Sequence, residues 1–311
     1  MSEITTGGTG IGSRKLPIPC GNALSDKFKF NKEILLESGQ IGNVVAYSRP
    51  VGDVNQNPLT FNIEPLADTF LSLDDIYFWI QCKILKANGE NVDANDKFGI
   101  ISSFGLSFFQ NLKILLNGFE LSPSSENDMP YKNYVETLLS YDVTNQNNYL
   151  SPSILELDDI NHLECTTPIP TDENNKPNAF INRYNRVKDS KSFDITVPLC
   201  CDFFRSDSHL PPANRITIVA TRASSEFLIQ SETAEQNGGY IIKVEDIKLC
   251  YNRIRLDPTL TAKILGKPCQ YLTVQTHVKK YALPSGITTY STELYNGVSF
   301  SKFSILFDKI Y

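Results

Sequence analysis

The feature that most constrains this chain is a period of two. In "IYFWIQCKILK", Phe78, Ile80, Cys82 and Ile84 fall on one side, and Tyr77, Trp79, Gln81 and Lys83 on the other. Side chains of a strand alternate between faces, so such a run predicts a strand with one face buried. "LTFNIE" repeats the pattern, with Leu59, Phe61 and Ile63 against Thr60, Asn62 and Glu64. Further strands are expected at "SFDITVPLC", "NRITIVATRA", "EFLIQ" and "YIIKVEDIKLCYNRIRL". The alternation of the last is imperfect, which predicts cover on both faces over part of its length. Asn88-Gly89 and Asn117-Gly118 punctuate these runs. Asn-Gly tolerates the positive φ of a type I′ turn, whose twist matches the flanking strands. The 18 Phe and 14 Tyr favour strands over helices. The expectation is an all-β, two-layer sandwich with short helices.

Two stretches break the period. "YKNYVETLLSY", residues 131–141, places Tyr131, Tyr134, Val135, Leu138 and Leu139 at helical spacing, just after Pro130. That spacing predicts a helix burying this apolar stripe. "DPTLTAKILG" predicts a second helix, from Pro258 to a cap at Gly266. Residues 1–41 read as a flexible, Gly-rich arm; "GGTGIG" follows no strand and lacks the G-K-[ST] of a phosphate loop. Residues 142–190 are rich in Asn, Asp and Pro and read as a long loop excursion. After residue 265 a new set of strands begins, and the chain ends in "FSILFDKIY".

The chemistry-bearing residues form no recognisable constellation. His162, His209 and His277 are scattered, with none in a metal-ligand spacing. No G-x-S-x-G elbow occurs. Asp74-Asp75 reads as a solvated strand entry, and Asp158-Asp159 lacks a calcium-loop pattern. The seven cysteines, at 20, 82, 165, 200, 201, 250 and 269, are irregularly spaced without a C-x-x-C, and read as reduced thiols. Cys200-Cys201 reads as one buried and one surface-facing thiol rather than a nucleophile. The formal net charge of −6 argues against a nucleic-acid footprint. No signal pattern, no apolar run near 18 residues and no N-x-[ST] acceptor is present, so the expectation is a non-secreted chain without a transmembrane segment. These readings predict no enzyme, no cofactor, no metal and no catalytic residue.

A family resemblance enters at "LSFFQNLKILLNGFELSPSSENDMPYKNYVETLLSYD". A strand leads into Leu116-Asn117-Gly118, then a polar loop from Asn127 to Tyr131, then the helix from Tyr134 to Tyr141. This order resembles the major capsid proteins of Maverick/Polinton-type and adintovirus-like elements. "LADTFLSLDDIYFWIQCKILKANGENV", "FDITVPLCCDFFRSDSHLPPANRITIVATRASSEFLI", "YIIKVEDIKLCYNRIRLDPTL" and "YALPSGITTYSTELYNGVSFSKFSILF" resemble further segments of that family, in order.

The resemblance implies a double jelly-roll protein of the adenovirus-hexon lineage. Residues 42–257 would be the first jelly roll, and 258–311 a linker helix and the start of a second roll left incomplete. It further implies a structural, hexon-like tile forming pseudo-hexameric homotrimers in the icosahedral shell of a virion. Partners would be other copies and neighbouring capsid proteins, among them penton and minor capsid proteins. There would be no specific nucleic-acid site; any genome contact would fall to Arg14, Lys15 and other basic residues. The expectation for the helix 131–141 is that it caps the sandwich and supports the 142–190 excursion, of which residues 145–188 could be removed with the fold intact. Three alternatives stay open: a single jelly-roll penton protein, a β-sandwich carbohydrate-binding or adhesion module, and an enzyme on a cupin-like sandwich.

Overall fold

The computed structural model describes residues 39–266, apart from 94–95, 122–127, 164, 169–175, 206–207 and 232–238; beyond them it describes Thr276, Val278 and Ser291. The expected arm up to residue 38, and the expected strands of a second roll over 267–311, therefore lie outside the described residues.

The strands are β1 (Gln40–Ser48), β2 (Leu59–Ile63), β3 (Thr69–Leu71), β4 (Tyr77–Lys86), β5 (Phe98–Ile100), β6 (Phe109–Leu116), β7 (Phe119–Glu120), β8 (Phe193–Pro198), β9 (Ile216–Arg222), β10 (Ile229–Ser231) and β11 (Tyr240–Leu256). One sheet runs β1-β11-β4-β8, with β3 also on β11; the other runs β2-β9-β6-β7; β5 and β10 form a small ribbon. Every pairing is antiparallel.

The nesting of these pairs defines the fold. Take β1, β2, β4, β6, β7, β8, β9 and β11 in chain order. The first pairs with the last, the second with the second-last, the third with the third-last, and the middle two with each other. That is one long hairpin rolled into two sheets, a jelly roll. The whole wrap is complete between Gln40 and Leu256.

The alternation read from the sequence sets the two faces. β2 and most of β4 bury every second residue, with Phe61, Phe78, Ile80 and Cys82 fully enclosed. Phe78 of one sheet meets Phe61 and Phe109 of the other at ring centroids 5.1 and 4.7 Å apart, so this aromatic cluster joins the layers. Asn117 and Gly118 take φ of 52° and 86°, and Leu116 pairs with Phe119 across this two-residue turn.

In β11 the register shifts between Val244 and Asp246 against β4. Before the shift Val244 is buried; after it Ile247, Leu249 and Tyr251 are. A β-bulge adds one residue and so reverses the phase of alternation. The break at Asp246 therefore has its cause in a bulge; further along, Tyr251 and Ile254, on opposite faces of the strand, are both buried, so part of β11 is also covered on both sides.

The 142–190 segment differs from the loop expected. It contains helices at Val143–Asn148 and Asn178–Val187 and a 3-10 turn at Ser151–Ser153. Leu150, Ile154, Leu155, Phe180 and Val187 are buried. Phe180 lies so close to Gly99 of β5 that a Cβ there would come within 2.4 Å of its ring. Arg183 is fully enclosed and fastens the segment: Nε donates to Ile100 O at 2.7 Å, one terminal nitrogen to Glu156 O at 2.7 Å, and the fork grips both oxygens of Asp158 at 2.8 and 2.9 Å. The segment thus supplies core side chains, against the expectation of a loop lying outside the fold.

Candidate functional site

Six helices are described. The first, α1, is a single turn at Phe104–Ser107; α2 spans Met129–Ser140, α3 Val143–Asn148, α4 Asn178–Val187, α5 Ser225–Leu228 and α6 Pro258–Leu265. The last matches the second helix expected, with Asp257 accepting from Thr259 N at 2.8 Å.

The expectation for α2 is inverted. Tyr131, Tyr134, Leu138 and Leu139 are 50%, 43%, 43% and 63% exposed, while Lys132, Asn133 and Thr137 are 4–5% exposed. The polar face is the buried one because it is answered. Lys132 Nζ bonds Asp202 at 2.9 Å, Asn133 Nδ2 donates to Leu106 O at 2.7 Å, and Thr137 Oγ1 donates to Asn133 O at 2.7 Å. Arg205 bonds Glu136 at 2.6 Å on the same flank. Burial by itself would lower the Lys132 pKa; Asp202 and Glu136 outweigh it and hold the ammonium above its ordinary value. Burial raises the Glu136 pKa against the pull of Lys132 and Arg205. Buried charges that are paired and hydrogen-bonded can replace an apolar interface. The apolar stripe then faces outward.

Beside that stripe lies a recess of about 270 Å³, lined among others by Ser103, Ser107, Tyr131, Tyr134, Phe227 and Gln230. Gln230 Oε1 is buried there without a hydrogen-bond partner. At the end of one sheet, β1 has no neighbour on its outer side among the described residues. Its Ile41, Val44, Val45 and Tyr47 are all exposed. An open edge with apolar side chains is a surface on which another chain can pair. Together the stripe and the edge offer apolar contact area, not reactive groups.

The residues considered for chemistry do not come together. His162 ends a 3-10 turn at Ile160–His162, His209 precedes the Leu210–Leu71 bridge, and His277 lies outside the described residues. Among the described residues no three His, Cys, Asp or Glu side chains gather as a metal would need. Asp158 is engaged by Arg183, and Asp74 accepts from Ser72 Oγ at 2.6 Å. Cys201 is buried and Cys200 only partly covered; burial first of all pushes the Cys200 thiol up to about 11, and Cys82 is raised by burial as well. Cys82 and Cys200 therefore stay protonated at neutral pH. The sequence reading missed the Lys132–Asp202 and Arg205–Glu136 pairs. Its one available signal was the i,i+4 spacing of Lys132 and Glu136.

Comparison with known proteins finds similarity only among solved structures. No family model matches the chain, and no curated protein matches its sequence. Among solved structures it is similar to a chain of the PBCV-1 virus capsid, at 13% identity and TM-score 0.47, covering 78% of this chain and 49% of that one. It is similar to a chain of the Sputnik virophage, at 11% identity and TM-score 0.47, with 76% and 52% covered. It is similar also to the mavirus major capsid protein, at 15% identity and TM-score 0.37, with 81% and 53% covered. The chain thus spans about half the length of these solved chains.

Proposed function

We propose that this chain is a structural capsid protein, a hexon-like tile that forms pseudo-hexameric trimers in the shell of a virion. The observation that carries the reading is the jelly roll with the apolar stripe of α2 turned outward. Such a surface is costly to leave in water, since fully burying one large apolar side chain contributes about 1.5–3 kcal/mol. A tile that meets neighbours of its own kind covers it on assembly. The ordered motifs from Leu116 to Tyr141 and their flanks support placement with the Maverick/Polinton-type capsid proteins. In this reading residues after α6 begin a second roll, and the partners are other copies together with penton and minor capsid proteins. The role needs no cofactor and no catalytic step.

One observation favours a second reading. A complete eight-strand roll lies between Gln40 and Leu256, which would suffice for a single jelly-roll vertex protein. Solution mass separates the two. Light scattering after size exclusion should give a trimer of the 34.9 kDa chain. Leu138→Arg with Leu139→Arg should give a folded monomer. A pentamer would establish the vertex reading. A wild-type monomer, or a trimer untouched by the substitutions, would refute the role given to α2.

A further inference from the structure

Other lysine ion pairs of this fold stand partly in water. Lys83 with Glu245, and Lys248 with Asp246, keep 26% and 25% of the lysine side chain exposed. Lys132, on the buried face of α2, is different. Its side chain is 2% exposed and that of its partner Asp202 12%. Lys132 Nζ lies 2.9 Å from Asp202 Oδ1.

Two more groups complete the setting. Glu136, one helical turn on from Lys132, places Oε1 4.0 Å from Nζ, and its other oxygen is held by Arg205 at 2.6 Å. At the second oxygen of the Asp202 carboxylate, Thr276 N donates to Oδ2 at 2.6 Å. The amine thus has a carboxyl carbon one bond beyond the oxygen it touches, and a second carboxylate on its other side to take a proton.

At rest the pair is an ammonium facing a carboxylate, with Lys132 held above its ordinary pKa by Asp202 and Glu136 against burial. Taking two charges out of water is expensive, and their mutual attraction often fails to repay it. An amide joining them carries no charge and escapes that cost. Between free amines and acids in water, dilution and hydrolysis oppose the amide. Here, well-oriented groups of one molecule reach effective concentrations of about 10⁵–10⁸ M, and enclosure keeps water from the product.

We propose that Lys132 and Asp202 join in an intramolecular isopeptide bond, with Glu136 as the proton relay. Lys132 Nζ passes a proton to Glu136 Oε1 and attacks Asp202 Cγ. The Nζ–Cγ bond forms and the Cγ–Oδ1 bond breaks. Oδ1 leaves as water with two of the three ammonium protons, one of them returned by Glu136; the third stays on the amide nitrogen. The two charges cancel, Glu136 ends as it began, and nothing is oxidised or reduced. Thr276 N, already on Oδ2, stabilises the negative charge this oxygen carries in the tetrahedral intermediate. Burial raises the Glu136 pKa against the pull of Lys132 and Arg205, so it accepts a proton more readily than an exposed glutamate does. The product staples α2 to the 3-10 turn Asp202–Arg205, 70 residues along the chain. The bond forms within one chain and does not depend on the capsid reading.

Intact mass spectrometry of the full chain, denatured after folding, tests this. Folded wild type should be lighter than its sequence by one water, and digestion should release a branched peptide joining Lys132 to Asp202. Wild type recovered from inclusion bodies and never released from urea should keep its full mass, a control that needs no variant to fold. Lys132→Arg retains the charge but should lose no water. Glu136→Gln should form the bond about a hundredfold more slowly, or slower still. A folded wild type of full sequence mass would overturn the inference. So would a water loss confined to the peptide of Asp202 itself, the mark of a succinimide, or one that persists in Lys132→Arg. Glu136→Gln reacting at the wild-type rate would overturn the relay.

Discussion

Arg183→Met deletes the guanidinium that fastens α4 to the sandwich. The wild-type side chain is fully enclosed and makes four bonds of 2.7–2.9 Å, to Ile100 O, Glu156 O and both oxygens of Asp158. Methionine fills similar space but answers none of them. Asp158, whose side chain is only 7% exposed, is left as a buried carboxylate with no counter-charge. Breaking a buried pair from one side costs about 3–5 kcal/mol, because the remaining charge stays desolvated. At an unfolding entropy of about 2.1 cal/mol/K per residue, the 311-residue chain should lose roughly 5–8 °C in Tm. Adding Asp158→Leu removes the stranded charge but leaves two carbonyls without donors, so about 1–2 kcal/mol should return. Urea titration followed by tryptophan fluorescence reads this directly. Trp79 is the sole tryptophan of the sequence, on β4 with Lys248 Nζ 4.3 Å from its ring. A loss under about 1 kcal/mol, the range of a surface pair, would refute the reasoning. So would a double variant no more stable than the single one.

Two further outcomes follow from packing and burial. Gly99→Ala should destabilise by about 1–3 kcal/mol, since the new Cβ meets the Phe180 ring at 2.4 Å; adding Phe180→Leu should relieve it, and denaturant midpoints check both. The Cys200 thiol, raised to about 11 from 9.0 by burial first, binds its proton more tightly folded than unfolded. Its contribution to stability is therefore full below pH 9 and is lost as pH rises towards 11. Iodoacetamide at pH 8, mapped by mass spectrometry, should label Cys200 much more slowly in the native than in the unfolded chain; equally fast labelling of the native chain would contradict the assignment.

Much of the sandwich was legible because its signal is local. A strand's parity depends on each residue's immediate neighbours in the chain, so Leu59, Phe61 and Ile63, or Phe78 to Ile84, declare their buried face without help from elsewhere. Asn117-Gly118 likewise encodes its own turn through two positive φ values. The phase reversal in β11 could not be read so simply. A bulge shows only as a broken alternation, and a broken alternation also fits a strand covered on both faces. The register against β4 locates the bulge, while the burial of both Tyr251 and Ile254 shows two-sided cover further along. The 142–190 segment was misread for a related reason. Its Asn- and Pro-rich composition speaks for a loop, while Phe180 and Arg183 are placed in the core by β5, some 80 residues earlier in the chain.

What the sequence determined by itself was the class of layer and the positions of most strands, the Asn117-Gly118 turn and two helices, because periodicity and turn chemistry act over a few residues; "EFLIQ", expected as a strand, is helical over Glu226–Leu228 and extended only from Ile229. Tertiary structure alone decided which face of α2 is buried. An amphipathic stripe names a preference, but burial is settled by what the rest of the fold presents opposite it. Here Asp202 and the Leu106 carbonyl answer Lys132 and Asn133 from 70 and 27 residues away. That pairing turns Tyr131, Tyr134, Leu138 and Leu139 to the outside.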